Sequence, residues 1–176
     1  VGGMQLYTAL EKYPQYQGGF IWDYIDQGIL TTTDDGEKYL AYGGDFDDRP
    51  TDYEFCGDGI VLADRTPSPK AGTVKALYSN VKLRIENGKL TIRNDNLFAG
   101  TDEYSFILRI LADGRKVWES KPFELAVAPG EEETFEPDWG KVSEEGELVY
   151  EVSCLTGKDL PWAEAGFEIC RAQEVA

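Results

Sequence analysis

The order of apolar and polar positions changes character near Asn80. Before that point the signals are mixed. Leu6, Tyr7 and Leu10 recur at helical spacing within Met4 to Tyr13, and Pro14 predicts the stop. Gly18-Gly19 then opens a compact run, Phe20-Ile21-Trp22-Asp23-Tyr24-Ile25, with apolar residues on both faces, which predicts a strand buried in a parallel setting. Asp35-Gly36 signals a turn. Tyr39 to Phe46 reads as a short return strand or a loop, and Asp45 to Arg65 as a long loop. Ser68 is placed to cap a helix with Pro69 at its first position and Val74, Leu77 and Tyr78 as its buried stripe. Helix, buried strand, long loop, helix is an α/β rhythm.

From Val81 onward the period is two. Leu83 and Ile85 alternate with Lys82 and Arg84, Asn87-Gly88 gives a hairpin signal, and Leu90 and Ile92 alternate beyond it. Tyr104, Phe106, Leu108 and Ile110 share a face, and Asp113-Gly114 turns the chain into Lys116-Val117-Trp118. Phe123, Leu125 and Val127 predict the next strand, ended by Pro129-Gly130. Leu148, Tyr150, Val152 and Cys154 predict another, and Phe167 with Ile169 the last. Seven short strands at this spacing predict an immunoglobulin-like or fibronectin-like β-sandwich over residues 81–176. The acidic stretch Glu131 to Glu136 belongs on an edge or loop, where like charges discourage edge pairing.

Composition narrows the chemistry. With 41% hydrophobic residues in a 176-residue chain, a packed core is within reach. The 17 basic residues face 33 acidic ones, net −16, and both parts of the chain are acidic, which argues against non-specific nucleic-acid or anionic-membrane binding. No histidine is present, so neither a Ser-His-Asp triad nor a histidine-based zinc site can be built from these residues. Cys56, Cys154 and Cys170 lack zinc-like spacing. No apolar run reaches membrane-spanning length and no leader pattern opens the chain, so a soluble protein is expected, cytoplasmic or periplasmic; Val1 in place of an initiator methionine reads as a processed piece.

Three segments in register carry a resemblance: YTALEKYPQYQ (Tyr7 to Gln17), GGFIWDYIDQG (Gly18 to Gly28) and AYGGDFDDRPTDYEFCGDGIVLADRTPSP (Ala41 to Pro69). Together they resemble the large multidomain bacterial β-galactosidases, closely up to about Ser79 and beyond Val81 by position and strand rhythm more than by motif. The resemblance implies a mostly β chain with some α: residues 1–80 as the last helix-strand-loop-helix of a (β/α)8 barrel, residues 81–176 as the sandwich that follows. It implies retaining hydrolysis of terminal β-galactosides by two glutamates upstream of Val1, so the chain alone is expected to be inactive. Trp22 matches the tryptophan in the wall of the galactose pocket, although its spacing alone reads as a core residue. Phe55 matches a phenylalanine whose carbonyl coordinates sodium and whose ring shifts with ligand. Asp58 stands where the family has a sodium-ligating asparagine, which puts cation preference in doubt. Sodium and magnesium are therefore expected in the intact enzyme, and no tight binding to this chain by itself. Expected partners are a galactoside and the other domains of the same polypeptide.

The remaining residues are read as structural. Asp23 and Asp26 are expected to make hydrogen bonds at the strand end rather than a catalytic pair. Asp45, Asp47, Asp48 and Asp52 lack the calcium-loop pattern, and Arg49 and Arg65 are their expected partners. Cys56 is a packing residue; Cys154 and Cys170 are buried free thiols on neighbouring strands, with a disulfide as the alternative. A stand-alone carbohydrate-binding or assembly module is the alternative function, with Trp118, Trp139 and Trp162 as an aromatic platform, though as single tryptophans they read as core plugs. A lone barrel strand leaves its ladders unpaired, which predicts packing on the sandwich, self-association or mobility of the first segment.

Overall fold

The computed structural model describes residues 2–143 and 145–176, the side chain of Tyr7 excepted. Contacts divide the chain into two units between Leu77 and Tyr78.

The second unit is an all-antiparallel sandwich. Strands β3 (Val81–Glu86), β4 (Lys89–Asn94) and β7 (Glu132–Phe135) form one sheet in the order β3-β4-β7. Strands β5 (Tyr104–Ala112), β6 (Arg115–Glu119), β8 (Leu148–Thr156) and β9 (Glu168–Val175) form the other, in the order β6-β5-β8-β9. Both predicted hairpins form. Asn87 and Gly88 have φ of 51° and 72°, and Asp113 and Gly114 have 46° and 74°. Paired positive φ is the type I′ geometry whose twist suits two-residue hairpins. Along β5 every second residue is buried, Phe106, Leu108, Ile110 and Ala112. Phe106 and Leu108 meet Val81, Ile85, Leu90, Ile92, Val127, Val152 and Cys154 between the sheets.

Seven strands are present here, but one is not where the alternation predicts. Phe123 to Val127 keeps its alternating burial yet joins no ladder beyond a single bridge to Phe106. Its backbone is taken by side chains instead. The Thr101 hydroxyl donates to the Leu125 carbonyl (2.6 Å) and accepts from the Val127 amide (2.8 Å), while the buried Asn94 amide donates to the Val127 carbonyl (2.9 Å). The fifth strand is the acidic segment, β7, an exposed edge strand whose Thr134 hydroxyl meets that of Thr91 at 3.0 Å. Phe167 also departs from its expected strand. It lies just before β9, half exposed and edge-on to Trp162.

The central strand β8 is buried on both faces. Away from the core, Glu151 is only 6% exposed. Arg109 Nη1 donates to Glu151 Oε1 (3.1 Å) and to Ser153 Oγ (2.8 Å), its Nε to Glu119 (2.7 Å), and Gln173 donates to Glu151 Oε2 (2.6 Å). Hydrogen bonds from Arg109, then from Lys116, hold the Glu119 carboxyl below its ordinary value. Burying Glu151 without these donors would cost several kcal/mol, so the sheet face depends on the whole network.

The first unit is less compact. Helix α1 (Gly2–Thr8) continues as a 3-10 turn over Ala9–Lys12 and ends before Pro14, as predicted. Strands β1 (Ile29–Thr32) and β2 (Lys38–Ala41) pair around the Asp35-Gly36 turn. Helix α2 (Pro69–Tyr78) starts at Pro69, with the buried Ser68 hydroxyl accepting from the Lys70 amide (3.3 Å). Its stripe is not buried as expected: Val74 and Leu77 are half-buried and Tyr78 is exposed. The predicted strand Phe20 to Ile25 is also absent. One parallel bridge, Ile25 to Val61, stands in its place, and Phe20 is fully exposed. A run apolar on both faces needs layers on both sides, and within this unit the described residues supply none.

Core burial sets the scale for a test. Replacing the fully buried Phe106 by alanine is expected to lower the unfolding free energy of the sandwich, in urea, by about 3–5 kcal/mol. Phe98→Ala, at a ring that is almost wholly exposed, is expected to change it by less than about 0.5 kcal/mol. Equal losses would contradict this core.

Candidate functional site

Two segments 33 residues apart are clasped by their backbones. The Asp26 amide donates to the Val61 carbonyl (2.9 Å), Val61 to Tyr24 (2.9 Å), Ile60 to Asp23 (3.1 Å) and Gln27 to Cys56 (2.9 Å). The Gly59 amide donates to Asp26 Oδ1 at 2.6 Å. Only glycine fits at 59. A Cβ there would overlap the Asp26 amide nitrogen and come within 2.6 Å of the Val61 carbonyl oxygen and 2.7 Å of the Ile25 carbonyl carbon. Ser68 fixes the far end by donating its hydroxyl to the Ile60 carbonyl at 2.6 Å.

The clasp positions the sequence-predicted residues. The Asp23 amide, just past Trp22, faces the Asp58 carbonyl at 3.4 Å. The Trp22–Asp23 peptide is cis. Trp22 is 73% exposed, so it is not the core residue that spacing alone suggests, and Phe55 is 70% exposed. Asp58 is different. Both of its carboxylate oxygens are buried, and neither has a hydrogen-bond partner among the described residues. A buried carboxylate without donors is costly, and a hard cation is the ligand that such oxygens suit. The orphaned carboxylate of Asp58 therefore fits a cation. No group of three or more acidic or cysteine side chains that could hold a metal occurs among the described residues.

The structural aspartates do as expected. Asp23 accepts from Gln27 Nε2 (3.2 Å), and Asp26 from Gly59. In the loop, Asp45 accepts from the Tyr42 amide (2.9 Å) and Asp48 from the Gly44 amide (3.0 Å), the latter bond being the main reason that the Asp48 carboxyl lies below its ordinary value. The expected arginine partners differ. Arg49 sits over the Tyr53 ring, 5.2 Å from its centroid, and Arg65 Nη1 donates to the Ala63 carbonyl (2.7 Å). Local amides bond Asp45 and Asp48, and the Arg49 charge adds only a smaller lowering at Asp48. Burial, then the charges of Asp26 and Asp58, push the half-buried Cys56 thiol up. Gly59 is the residue that sequence reasoning missed as a builder of the site; the Asp58-Gly59 dipeptide was its one local signal.

Of the platform tryptophans, Trp118 and Trp139 pack against the sandwich core. Trp139 stacks on Tyr150 at 4.5 Å and donates to the Gly88 carbonyl at 2.7 Å. Trp162 stands apart from that core, 66% exposed.

Comparison with known proteins places this architecture. The family described as glycosyl hydrolases family 2, TIM barrel domain, matches residues 1–83, and β-galactosidase, domain 4, matches residues 90–176. This chain belongs to family 2 of the glycosyl hydrolases. Relatives include the β-galactosidase of Lactobacillus delbrueckii subsp. bulgaricus, 53% identical over all of this chain and 17% of its own length. The β-galactosidase BgaC of Bifidobacterium adolescentis is 55% identical over 98% of this chain and 17% of its own length, and the β-galactosidase of Clostridium acetobutylicum 47% identical over 99% and 19%. The chain thus spans under a fifth of the length of these relatives. In family terms, the clasp belongs to the TIM-barrel match and the sandwich to domain 4. No helix among the described residues is long and apolar enough to cross a membrane.

The clasp predicts a sharp contrast between neighbouring glycines. In the full-length protein, Gly59→Ala is expected to cost about 2 kcal/mol of local stability and so to speed trypsin cleavage after the exposed Arg65 roughly 30-fold. Gly57→Ala, where nothing lies within 4 Å, should leave cleavage unchanged. Indistinguishable rates would rule the clasp out.

Proposed function

We propose that this chain is the closing part of the catalytic barrel and the linking sandwich of a retaining β-galactosidase acting on terminal β-D-galactosyl residues. The chain supplies part of the sugar-pocket wall, while the nucleophile and the acid/base come from the rest of the polypeptide. Support comes from the named relatives and from one observation above all: the clasp holds an exposed indole, Trp22, beside the segment that ends in the unpartnered carboxylate of Asp58. Barrel enzymes build their sites from loops at the carboxyl ends of strands, and the parallel bridge of Ile25 to Val61 follows Trp22 by three residues.

In this reading the flat face of Trp22 takes the C–H-rich side of galactose, where an aromatic ring excludes water without competing for hydroxyl groups. Asp58 and the Phe55 carbonyl hold part of a sodium site, completed by oxygens from elsewhere in the polypeptide. A cation held there would supply positive charge at the Asp58 carboxylate and at a sugar oxygen. A carboxylate at 58 in place of a neutral amide would favour competition by a divalent ion such as magnesium. Phe55, exposed and next to the half-buried Cys56, is the ring free to close over a bound ligand. The chain by itself, without the carboxyl pair of a retaining glycosidase, turns over no galactoside.

Kinetics of the full-length enzyme test both roles. Trp22→Ala is expected to lower kcat/KM for an aryl galactoside roughly 10- to 100-fold, the equivalent of about 1.5–3 kcal/mol of lost apolar contact. Asp58→Ala is expected to abolish the dependence of KM on sodium. Wild-type kcat/KM in the first variant, or an unaltered sodium response in the second, would refute the corresponding role, and turnover by the isolated chain would refute the division of labour.

A further inference from the structure

Cys154 and Cys170 face each other across the β8–β9 ladder, and both are free thiols. Directly opposed residues of an antiparallel pair hold their Cα atoms about 4.5–5.5 Å apart, inside the range of roughly 4.4–6.8 Å that a disulfide spans. The local backbone is irregular here. The register slips between Cys154 and Leu155, so that Leu155 faces Glu168 and Ile169 is left as the extra residue. A bulge of this kind loosens the ladder beside the pair, and β9 is the outer strand of its sheet.

The two thiols are unequal. Cys154 is fully buried on the core face with Phe106, Leu108 and Val152, whereas Cys170 is half-buried on the outer strand. The hydrogen bond between the two sulfurs, then burial, pushes Cys154 well above the ordinary thiol range. The same bond lowers Cys170, where burial and the Glu168 charge oppose the anion while the Ser79 hydroxyl and Lys82 favour it. Thiolate character and access thus coincide on one sulfur, which is the arrangement of an attacking cysteine with a resolving partner behind it.

We propose that Cys154 and Cys170 are a dithiol modification site, closed by small-molecule disulfides such as oxidised glutathione into a cross-strand disulfide with Cys170 as the attacking sulfur. The Cys170 thiolate displaces one glutathione thiolate and forms a mixed disulfide. Cys154 then loses its proton to that released thiolate or to water, attacks the Cys170 sulfur and expels the second glutathione. Two protein thiols are oxidised to one disulfide while one glutathione disulfide is reduced to two thiols. The product ties the outer strand to the central one at the bulge and closes the segment that carries Trp162 and Phe167 into a ring.

Peptide mapping tests this, because trypsin cleaves after Lys141, Lys158 and Arg171 and so separates the two cysteines. The full-length protein is incubated with oxidised glutathione, alkylated, digested and weighed. Expected is a linked species joining the 142–158 and 159–171 peptides, lost on treatment with dithiothreitol. In Cys154→Ala the expected product is glutathione retained on Cys170; in Cys170→Ala, Cys154 should stay unmodified, since it is fully buried. Separate, alkylated peptides in the wild type would overturn the proposal. Glutathione retained on Cys154 in Cys170→Ala would overturn the assignment of the attacking sulfur.

Discussion

The close passage of two backbones at Gly59 is the constraint on which the candidate site depends. Six hydrogen bonds join residues 23–27 to residues 56–61 there, and only a residue without a side chain permits them. Each such bond contributes about 0.5–1.5 kcal/mol net, so the set is needed to hold a segment with almost no core of its own. The consequence is positional. The backbone next to Trp22 is carried to Asp58, the Asp23 amide facing the Asp58 carbonyl at 3.4 Å.

The two units are stabilised by different means. The sandwich has a contiguous apolar core, with Phe106, Leu90, Ile92 and Val152 fully buried, and an ion network on the outer face of its central strand. Among the described residues of the first unit, buried apolar side chains are Ala41 and Ile60, while Phe20, Trp22, Tyr24 and Phe55 are exposed. Large exposed aromatic surfaces mark places where something else is meant to lie. A barrel segment that expects further strands on one side and a ligand on the other has this character, which agrees with its place in family 2 of the glycosyl hydrolases.

Much of the sandwich was legible because its rules are local. Alternation along β5 and the Asn-Gly and Asp-Gly turns depend on neighbours a few residues away, and each formed as read. The exchange of Phe123–Val127 for Glu132–Phe135 was not legible, because the decision lies with Thr101 and Asn94, some 24 to 33 residues off. The same holds for the clasp: Asp26 meets Gly59 across 33 residues, and no periodicity announces it. Trp22 shows the limit most clearly. By spacing it belongs in a core, yet it is exposed, and the motif around it is what made it a candidate for a sugar-pocket wall. Asp45 and Asp48 of the loop were read as structural, and their hydrogen-bond partners are amides three and four residues away rather than arginines.

The clasp itself is open to direct measurement by amide hydrogen exchange in the full-length protein. The account predicts that the amides of Asp26, Gln27, Gly59, Ile60 and Val61 are protected as a group, by at least about 100-fold, the equivalent of roughly 2.7 kcal/mol for a shared opening. Exchange of those amides at the rate of an unstructured peptide would contradict it.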